Sequence, residues 1–352
     1  MEFICIAKTT KLDVLEVNKK YKDVLSITHK AKFNNLLVVE AYSKEALEST
    51  GLFLEVEKSK KFKLANVDTN FQVKTEIDKR YLKSTQSLGW QVSVGIIDSG
   101  IKKGDCAKLI ETIDLTEYKN SLGNTHGTIV GKIIEGFAPG ALLTSIKVAH
   151  FGEDITSGRI IKSIDIAVDL DINILNISLE LLMDDDYGNE CLGNCKVCDY
   201  VNTAVEATDM IIVSSAGNQG EDEGISIGCP GRAEKAITVG ATNEENKLSS
   251  TSSKGDQTFL KPNILAPGFV KVISDQYYKI ASGTSFAAPV VTGILAAVYH
   301  TLGKDDAINY MYQTCIDLGY TKYEQGFGLI DLKKFTEVAF NEGISSSSAR
   351  QR

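Results

Sequence analysis

Three short segments carry residues that could cleave a substrate through a serine nucleophile. Asp98 follows the apolar run at 94–97, His126 begins the sequence HGT, and Ser285 lies in the sequence SGTSFAAP. Serine, histidine and aspartate can act together as nucleophile, general base and orienting carboxylate. They occur here in the order Asp, His, Ser, which is one of the orders known for this triad. Each residue alone has an ordinary structural explanation, but the set of three predicts a serine hydrolase.

A fourth element could complete this site. Asn218 ends an apolar run in the sequence SSAGNQG, and its side-chain amide could stabilise an oxyanion. Ser285 precedes the apolar segment 290–299, which predicts a buried helix beginning near it. Free amides and partial positive charge at such a helix start also favour an oxyanion. We expect Pro289 in the first turn of this helix, where its missing N–H has no intrahelical partner.

Continuous apolar runs predict the strands that position these residues. Such runs are typical of a parallel sheet that is buried on both faces. They lie at residues 92–97, 142–148, 172–177, 210–213 and 237–239. A helix capped by Ser157 is predicted between two of them. This alternation predicts an α/β protein with a doubly wound, mostly parallel sheet and an active site at the carboxyl ends of its strands.

The N-terminal region has a different pattern. Residues 1–66 predict strand, helix, strand, helix and strand, with Ser43 as the cap of the second helix and an alternating edge strand at 53–57. This pattern indicates a small α+β domain. Residues 67–341 form the larger predicted domain, and the serine-rich tail 342–352 is predicted to be disordered.

These segments together resemble the subtilase family. Its Asp block, its His-Gly-Thr block, its Ala-Gly-Asn block and its Gly-Thr-Ser-x-Ala-x-Pro block all have counterparts here, and the likeness extends from about residue 67 to about residue 340. The resemblance implies a subtilisin-like serine endopeptidase acting on peptides or proteins. It implies Asp98, His126 and Ser285 as catalytic triad. The Ser285 backbone N–H and the Asn218 side chain would form the oxyanion hole.

The resemblance also implies the residues that bind substrate. They are Ser178, Leu179, Glu180, Gly217 and Gly228. The family usually has glycine at the position of Glu180, so a carboxylate there could attract basic substrate side chains and disfavour acidic ones. General proteolysis and the restricted maturation of one peptide or protein both remain open, and Glu180 favours the restricted role.

The N-terminal domain resembles the ferredoxin-like subtilase propeptide, which inhibits its own protease. By this resemblance, Ser285 would cleave the chain at Asn66–Val67 and leave residues 63–66 in the substrate cleft. The alternative is a regulatory domain that stays attached. A different alternative for the whole chain is a catalytically silent subtilase-like binding protein, but such proteins usually lack one of the four site residues present here.

No metal or other cofactor is required by the sequence. The segment 131–141 is short and omits the calcium-binding loop that many subtilisins insert after the active-site histidine helix, so calcium is not predicted there, and calcium elsewhere in the chain is left open. A cluster of cysteines could bind zinc, form a disulfide or stay as reduced thiols, and a metal site is disfavoured. Its members are Cys191, Cys195, Cys198 and Cys229.

Composition excludes several other classes of protein. A net charge of -8 without a dense Lys/Arg stripe disfavours nucleic acid or an anionic membrane as partner. No uninterrupted apolar run approaches the roughly 20 residues that span a bilayer. The first residues lack the features of a signal peptide, and an odd number of cysteines favours a reducing compartment. We therefore expect a cytoplasmic protein; the alternative is a secreted one whose signal peptide has been removed.

Overall fold

The structure is a computed structural model, and it describes residues 1–63, 88–117, 125–150, 154–181, 191–273 and 278–339. The N-terminal part forms a small sheet with two helices and one additional short strand. Its elements are β1 (Glu2–Ala7), α1 (Val14–Lys20), β2 (Leu25–Lys30), β3 (Leu36–Ala41), α2 (Lys44–Ser49), β4 (Phe53–Lys58) and β5 (Lys61–Lys63).

The N-terminal sheet has the strand order β2-β3-β1-β4, and all its pairs are antiparallel. Ser43 caps α2 as predicted, because its hydroxyl accepts from the backbone N–H of Ala46. β4 is an edge strand, which also agrees with the prediction. The sequence prediction lacks β2, because only Leu25 and Ile27 are large apolar residues in that strand, and it also lacks β5.

The larger part of the chain contains the remaining elements. They are β6 (Ser93–Asp98), β7 (Leu109–Asp114), α3 (Thr125–Phe137), β8 (Leu142–Lys147), β9 (Ile155–Thr156), α4 (Ser157–Asp169), β10 (Ile174–Ile177), β11 (Glu180–Leu181), α5 (Lys196–Ala207), β12 (Ile211–Ser215), β13 (Ile237–Thr242), β14 (Ile264–Pro267), β15 (Phe269–Ile273), β16 (Tyr278–Ser282), α6 (Thr284–Leu302), α7 (Lys304–Gln313) and α8 (Lys322–Gln325). Residues 332–339 are also helical.

Seven of these strands form a parallel sheet in the order β14-β13-β12-β10-β6-β8-β7. Val94 and Ile96 of β6 pack with α3 and α6 on one face. Ile97 of the same strand packs with α4 and α5 on the other face. Burial on both faces explains why the strands are continuous apolar runs, and the predicted doubly wound α/β fold is confirmed.

The helix α6 is the buried apolar helix that the segment 290–299 predicts. By length and composition alone it could cross a membrane, but 72% of the relevant window is buried inside the protein. It packs against α3 and against strands β10, β12, β13 and β14. The apolar character of α6 is therefore explained by its position in the core.

The predicted cap of α4 is wrong by one residue. Thr156 is the N-cap, and its hydroxyl accepts from the backbone N–H of Arg159 at 3.3 Å. Ser157 is the first helical residue, and its hydroxyl accepts from the backbone N–H of Lys60 at 2.9 Å. Ser157 therefore binds the N-terminal domain, a long-range contact that the local sequence does not reveal.

The expected position of Pro289 is also wrong, because this residue lies beyond the first turn of α6. The N–H that proline lacks would have bonded the carbonyl of Ser285 four residues earlier. The hydroxyl of Ser178 donates to that carbonyl instead, at 3.1 Å. Pro289 thus leaves the Ser285 carbonyl free to accept a hydrogen bond from the segment that follows β10.

The N-terminal domain docks on the start of α4. The Glu2 carboxylate accepts from the backbone N–H of Gly158 at 3.2 Å and from the Ser59 hydroxyl at 2.6 Å. A negative charge at a helix N-terminus interacts favourably with the helix dipole. Further along, His29 Nε2 lies 2.7 Å from Asp165 Oδ2, which is also on α4.

Some predicted features lie outside the described residues. These are the processing site Asn66–Val67, the polar segment 67–86 that connects the two predicted domains, and the tail 342–352. The link from α3 to β8, where the family inserts its calcium-binding loop, consists of residues 138–141.

Close packing of α3 on α6 makes Gly293 sensitive to substitution. A Cβ there would lie 2.8 Å from Phe137 Cβ and 3.1 Å from the Ile134 carbonyl oxygen, which is backbone and cannot move away easily. We expect Gly293→Ala to lower the free energy of unfolding by about 1–3 kcal/mol. Urea unfolding of Ser285→Ala protein, which cannot digest itself through Ser285, measures this change.

The matched control is Gly131→Ala on α3. A Cβ at this position would meet the side-chain ends of Ile101 and Cys106, which can shift. Both substitutions gain the same helix propensity, so the difference between them isolates packing. Equal unfolding midpoints for the two variants would contradict the prediction.

Candidate active site

The structure brings Asp98 and His126 together at the carboxyl end of β6. His126 Nδ1 lies 2.8 Å from Asp98 Oδ1 and 3.0 Å from Oδ2, and both side chains are buried. The Asp98 carboxylate also accepts from the backbone N–H and the hydroxyl of Ser99, at 2.6 and 3.0 Å. These bonds fix the carboxylate against the imidazole ring.

Gly127 lets the helix α3 begin close to β6. Its N–H donates to the Ser99 hydroxyl at 3.1 Å. A Cβ at Gly127 would lie 2.6 Å from the carbonyl oxygen of Gly100 and 3.0 Å from Asp98 Oδ1. A side chain here would therefore displace the backbone that positions Asp98 and His126.

Ser285 is the second residue of α6, at the helix N-terminus, as predicted. It is buried, and its hydroxyl donates to the carbonyl of Ser178 at 3.5 Å. His126 Nε2 is buried and has no hydrogen-bond partner among the described residues. The expected bond between His126 and Ser285 is thus not formed in this conformation, although catalytic hydrogen bonds often tighten only when substrate is bound.

A buried polar network ties the start of α6 to β10. Asn176 donates from Nδ2 to the Ser178 hydroxyl at 2.9 Å, and it accepts at Oδ1 from the Thr292 hydroxyl at 2.8 Å. Ser178 in turn donates to the Ser285 carbonyl. Fully bonded buried polar groups hold a single geometry, so this network fixes the backbone of Ser285.

Asn218 lies beside the first turn of α6. Its Oδ1 accepts from the backbone N–H of Thr284 at 2.9 Å and from the Thr284 hydroxyl at 3.3 Å. The side-chain oxygen is thus turned towards Thr284, and Nδ2 is the amide group's donor. The Thr284 hydroxyl also bonds both the N–H and the carbonyl of Gly217 at 3.1 Å.

The other expected cleft residues lie around this centre. Leu179 is buried and directly precedes β11, which contains Glu180. The N–H of Gly228 donates to the carbonyl of Ala216 at 2.7 Å, so Gly228 lies beside the strand end that carries Gly217. The five predicted residues therefore belong to segments that converge near Ser285.

A strand from the N-terminal domain occupies the neighbouring edge. β5 pairs antiparallel with β11, with Lys63 opposite Glu180, and antiparallel with β9 on its other side, with Phe62 opposite Ile155. Phe62 is 2% exposed. β5 is therefore the central strand of a three-stranded sheet beside Ser178 and Leu179.

Sequence reasoning missed several residues that support this site. It assigned no role to Ser99, Thr284 or Thr292. Ser99 directly follows the predicted aspartate, and short polar side chains commonly bond such carboxylates, so this position gave a usable signal. Thr292 lies inside an apolar helix, where a polar side chain needs a buried partner.

Comparison with known proteins identifies the family. The profile of the Subtilase family matches residues 89–328. Subtilisin DY of Bacillus licheniformis is 30% identical over 264 residues, which cover 70% of this chain and 90% of that protein. The Minor extracellular protease Epr of Bacillus subtilis (strain 168) is 28% identical over 263 residues, which cover 70% of this chain but 38% of Epr.

A solved structure has the same fold along nearly the whole chain. A mutant of the Epidermin Leader Peptide Processing Serine Protease (EpiP) from Staphylococcus aureus superposes with a TM-score of 0.73. The match covers 96% of this chain and 99% of that one at 18% sequence identity. With the family profile spanning more than half of the sequence, the chain belongs to the subtilase family and is a serine-type endopeptidase.

Proposed function

We propose that Asp98, His126 and Ser285 form the catalytic triad of this endopeptidase. The observation that carries the proposal is the buried Asp98–His126 bond beside the N-terminus of α6, where Ser285 directly precedes Phe286, whose ring centroid lies 5.5 Å from that of His126. Asp98 holds the imidazole with Nδ1 as donor. His126 Nε2 is then the acceptor for the proton of a nucleophile.

The reaction follows from these roles. Ser285 Oγ rotates from the Ser178 carbonyl towards His126 and attacks the carbonyl carbon of the scissile bond, while its proton moves to His126 Nε2. The oxyanion is stabilised by the Ser285 N–H and by Asn218 Nδ2. The C–N bond then breaks and His126 protonates the leaving amine. Water attacks the acyl-enzyme, passes a proton through His126 and regenerates Ser285.

Gly127 provides a test of this geometry. Gly127→Ala pushes a methyl group against Asp98 and the Gly100 carbonyl, so we expect kcat/KM to fall about 100-fold, as for small displacements of catalytic groups. Hydrolysis of fluorescent casein and labelling of Ser285 by a fluorophosphonate measure the loss. Gly131→Ala, one turn along α3, is the control and should stay within about threefold of wild type. An equal loss in both variants would refute the assigned geometry.

We also propose that residues 1–66 act as an inhibitory propeptide. Extended peptides commonly bind proteins by adding a strand to an exposed edge, and β5 does this on two sides, with β11 and β9. Moving from Phe62 to Lys63 along β5 corresponds to moving from Leu181 to Glu180, so β5 runs towards Ser178. The direction supports cleavage a short distance after Lys63, at the proposed site Asn66–Val67.

Intact mass tests self-processing. Wild-type protein should lose an N-terminal fragment by a cut near Asn66–Val67, whereas Ser285→Ala should keep its full mass of 38.3 kDa. Asn218→Ala should process about 10²–10³ times more slowly, because it lacks one oxyanion donor. If wild type and Ser285→Ala both remain whole, the domain is a permanently attached regulator under those conditions.

Substitution of Phe62 tests whether residues 1–66 inhibit the peptidase. Replacing a buried Phe by Ala lowers stability by about 3–5 kcal/mol. After processing, the cleaved N-terminal domain of the Phe62→Ala variant should therefore bind the peptidase domain at least about 100-fold more weakly than the wild-type domain does. We expect freshly processed Phe62→Ala protein to show much higher peptidase activity per molecule than wild type. Leu54→Ala is the control, because Leu54 in the same domain is 66% exposed. Equal activities in Phe62→Ala and Leu54→Ala would argue against inhibition through β5.

Substrate preference remains a proposal based on charge. A basic residue, Lys63, pairs with Glu180 in the backbone register, which supports a preference for basic residues at the equivalent substrate position. This selectivity favours restricted maturation over general proteolysis. The cytoplasmic location expected from the sequence stays a prediction.

A further inference from the structure

We propose that Cys191, Cys195, Cys198 and Cys229 bind one Zn²⁺ ion in a structural site. All four side chains are buried, and their sulfur atoms lie within 4.8 Å of one another. Cys191 and Cys195 come from the turn that leads into α5, Cys198 comes from the first turn of α5, and Cys229 comes from the segment that follows Gly228. The site lies outside the proposed catalytic centre.

Three of the six separations between the sulfur atoms match tetrahedral coordination, and the others are no longer than 4.8 Å. Cys191 and Cys198 are 3.8 Å apart, Cys195 and Cys229 are 3.8 Å apart, and Cys198 and Cys229 are 3.6 Å apart. Four thiolates at about 2.3 Å from zinc are separated by about 3.8 Å at the corners of a tetrahedron. A disulfide would need about 2.0 Å. The cluster therefore has the dimensions of a zinc–thiolate centre.

The backbone around the cluster is already organised. Cys195 is the N-cap of α5 and Cys198 lies in its first turn. Gly193 has φ +89°, and a Cβ there would lie 2.8 Å from the carbonyl oxygen of Arg232. The turn from Cys191 to Cys195 is thus pressed against the segment that carries Cys229.

The buried guanidinium of Arg232 favours a negatively charged group at the proposed zinc site. The Arg232 guanidinium is 3% exposed and donates to the backbone carbonyls of Cys191, Ile225 and Ile227. No carboxylate is paired with it in the described part of the chain. A buried charge is costly without a counter-charge. Four thiolates around Zn²⁺ have a net charge of about −2 and supply that counter-charge beside Cys191.

The coordination is structural. Four protein ligands complete the tetrahedron and leave no position for water or substrate, so the ion takes no part in peptide hydrolysis. On binding, each thiol releases one proton to solvent and contributes a thiolate. The ion would join the start of α5 to the segment that carries Cys229. The residue before that cysteine, Gly228, is one of the expected cleft residues.

Metal content of the full-length Ser285→Ala protein tests the proposal. This protein lacks the proposed nucleophile, so the result does not depend on the catalytic proposal. Purified under reducing conditions without chelator, it should contain about one zinc per chain by mass spectrometry of the metal. Cys198→Ser and Cys229→Ser in the same background should lose that zinc, and Cys315→Ser, outside the cluster, should keep it.

A second measurement remains decisive if the serine variants do not fold. The Ser285→Ala protein exchanged with Co²⁺ should develop the intense visible bands of tetrahedral thiolate coordination. A metal-free protein with seven titratable thiols after denaturation would overturn the proposal. So would a mass reduced by two hydrogens for each disulfide, or iron in place of zinc.

Discussion

The burial of α6 fixes where the catalytic groups of this protein can lie. The helix packs on α3 and on the strands at the centre of the parallel sheet, so its first turn has one position relative to the strand ends. Gly293 allows the two helices to approach closely, and α3 begins at the turn that carries His126. Asp98 ends the strand beneath that turn. Segments distant in sequence therefore meet because the close packing of α6 on α3 and on the sheet brings their ends together.

Hydrogen bonds then fix the backbone of Ser285 in the position that helix packing gives it. Pro289 removes one bond from α6, and the Ser178 hydroxyl replaces it at the carbonyl of Ser285. Thr292 and Asn176 continue this network into β10. Ser285, the proposed nucleophile, is thus held through its own backbone, while its side chain keeps the freedom to rotate. Pro289 interrupts the hydrogen bonding of α6, and this interruption allows Ser178 to fix the position of the Ser285 backbone.

The parts of this structure that the sequence predicts are those encoded locally. Continuous apolar runs predict the parallel strands, and Asp98, His126 and Ser285 are recognisable from their short motifs and order. The parts that it does not predict depend on contacts between distant segments. β5 has three residues and exists because β11 and β9 supply its partners. Thr156 rather than Ser157 caps α4 because the N-terminal domain engages the Ser157 hydroxyl.

The contacts of the N-terminal domain fall into two groups with different consequences. β5 pairs with β11 and β9, the backbone edges that we propose an extended substrate would use. Glu2 at the start of α4 and His29 beside Asp165 bind away from the cleft. A cut after β5 would leave the second group intact. Under the proposed inhibitory role, the second group would hold the N-terminal domain in place after the cut, and activity would follow its dissociation or digestion.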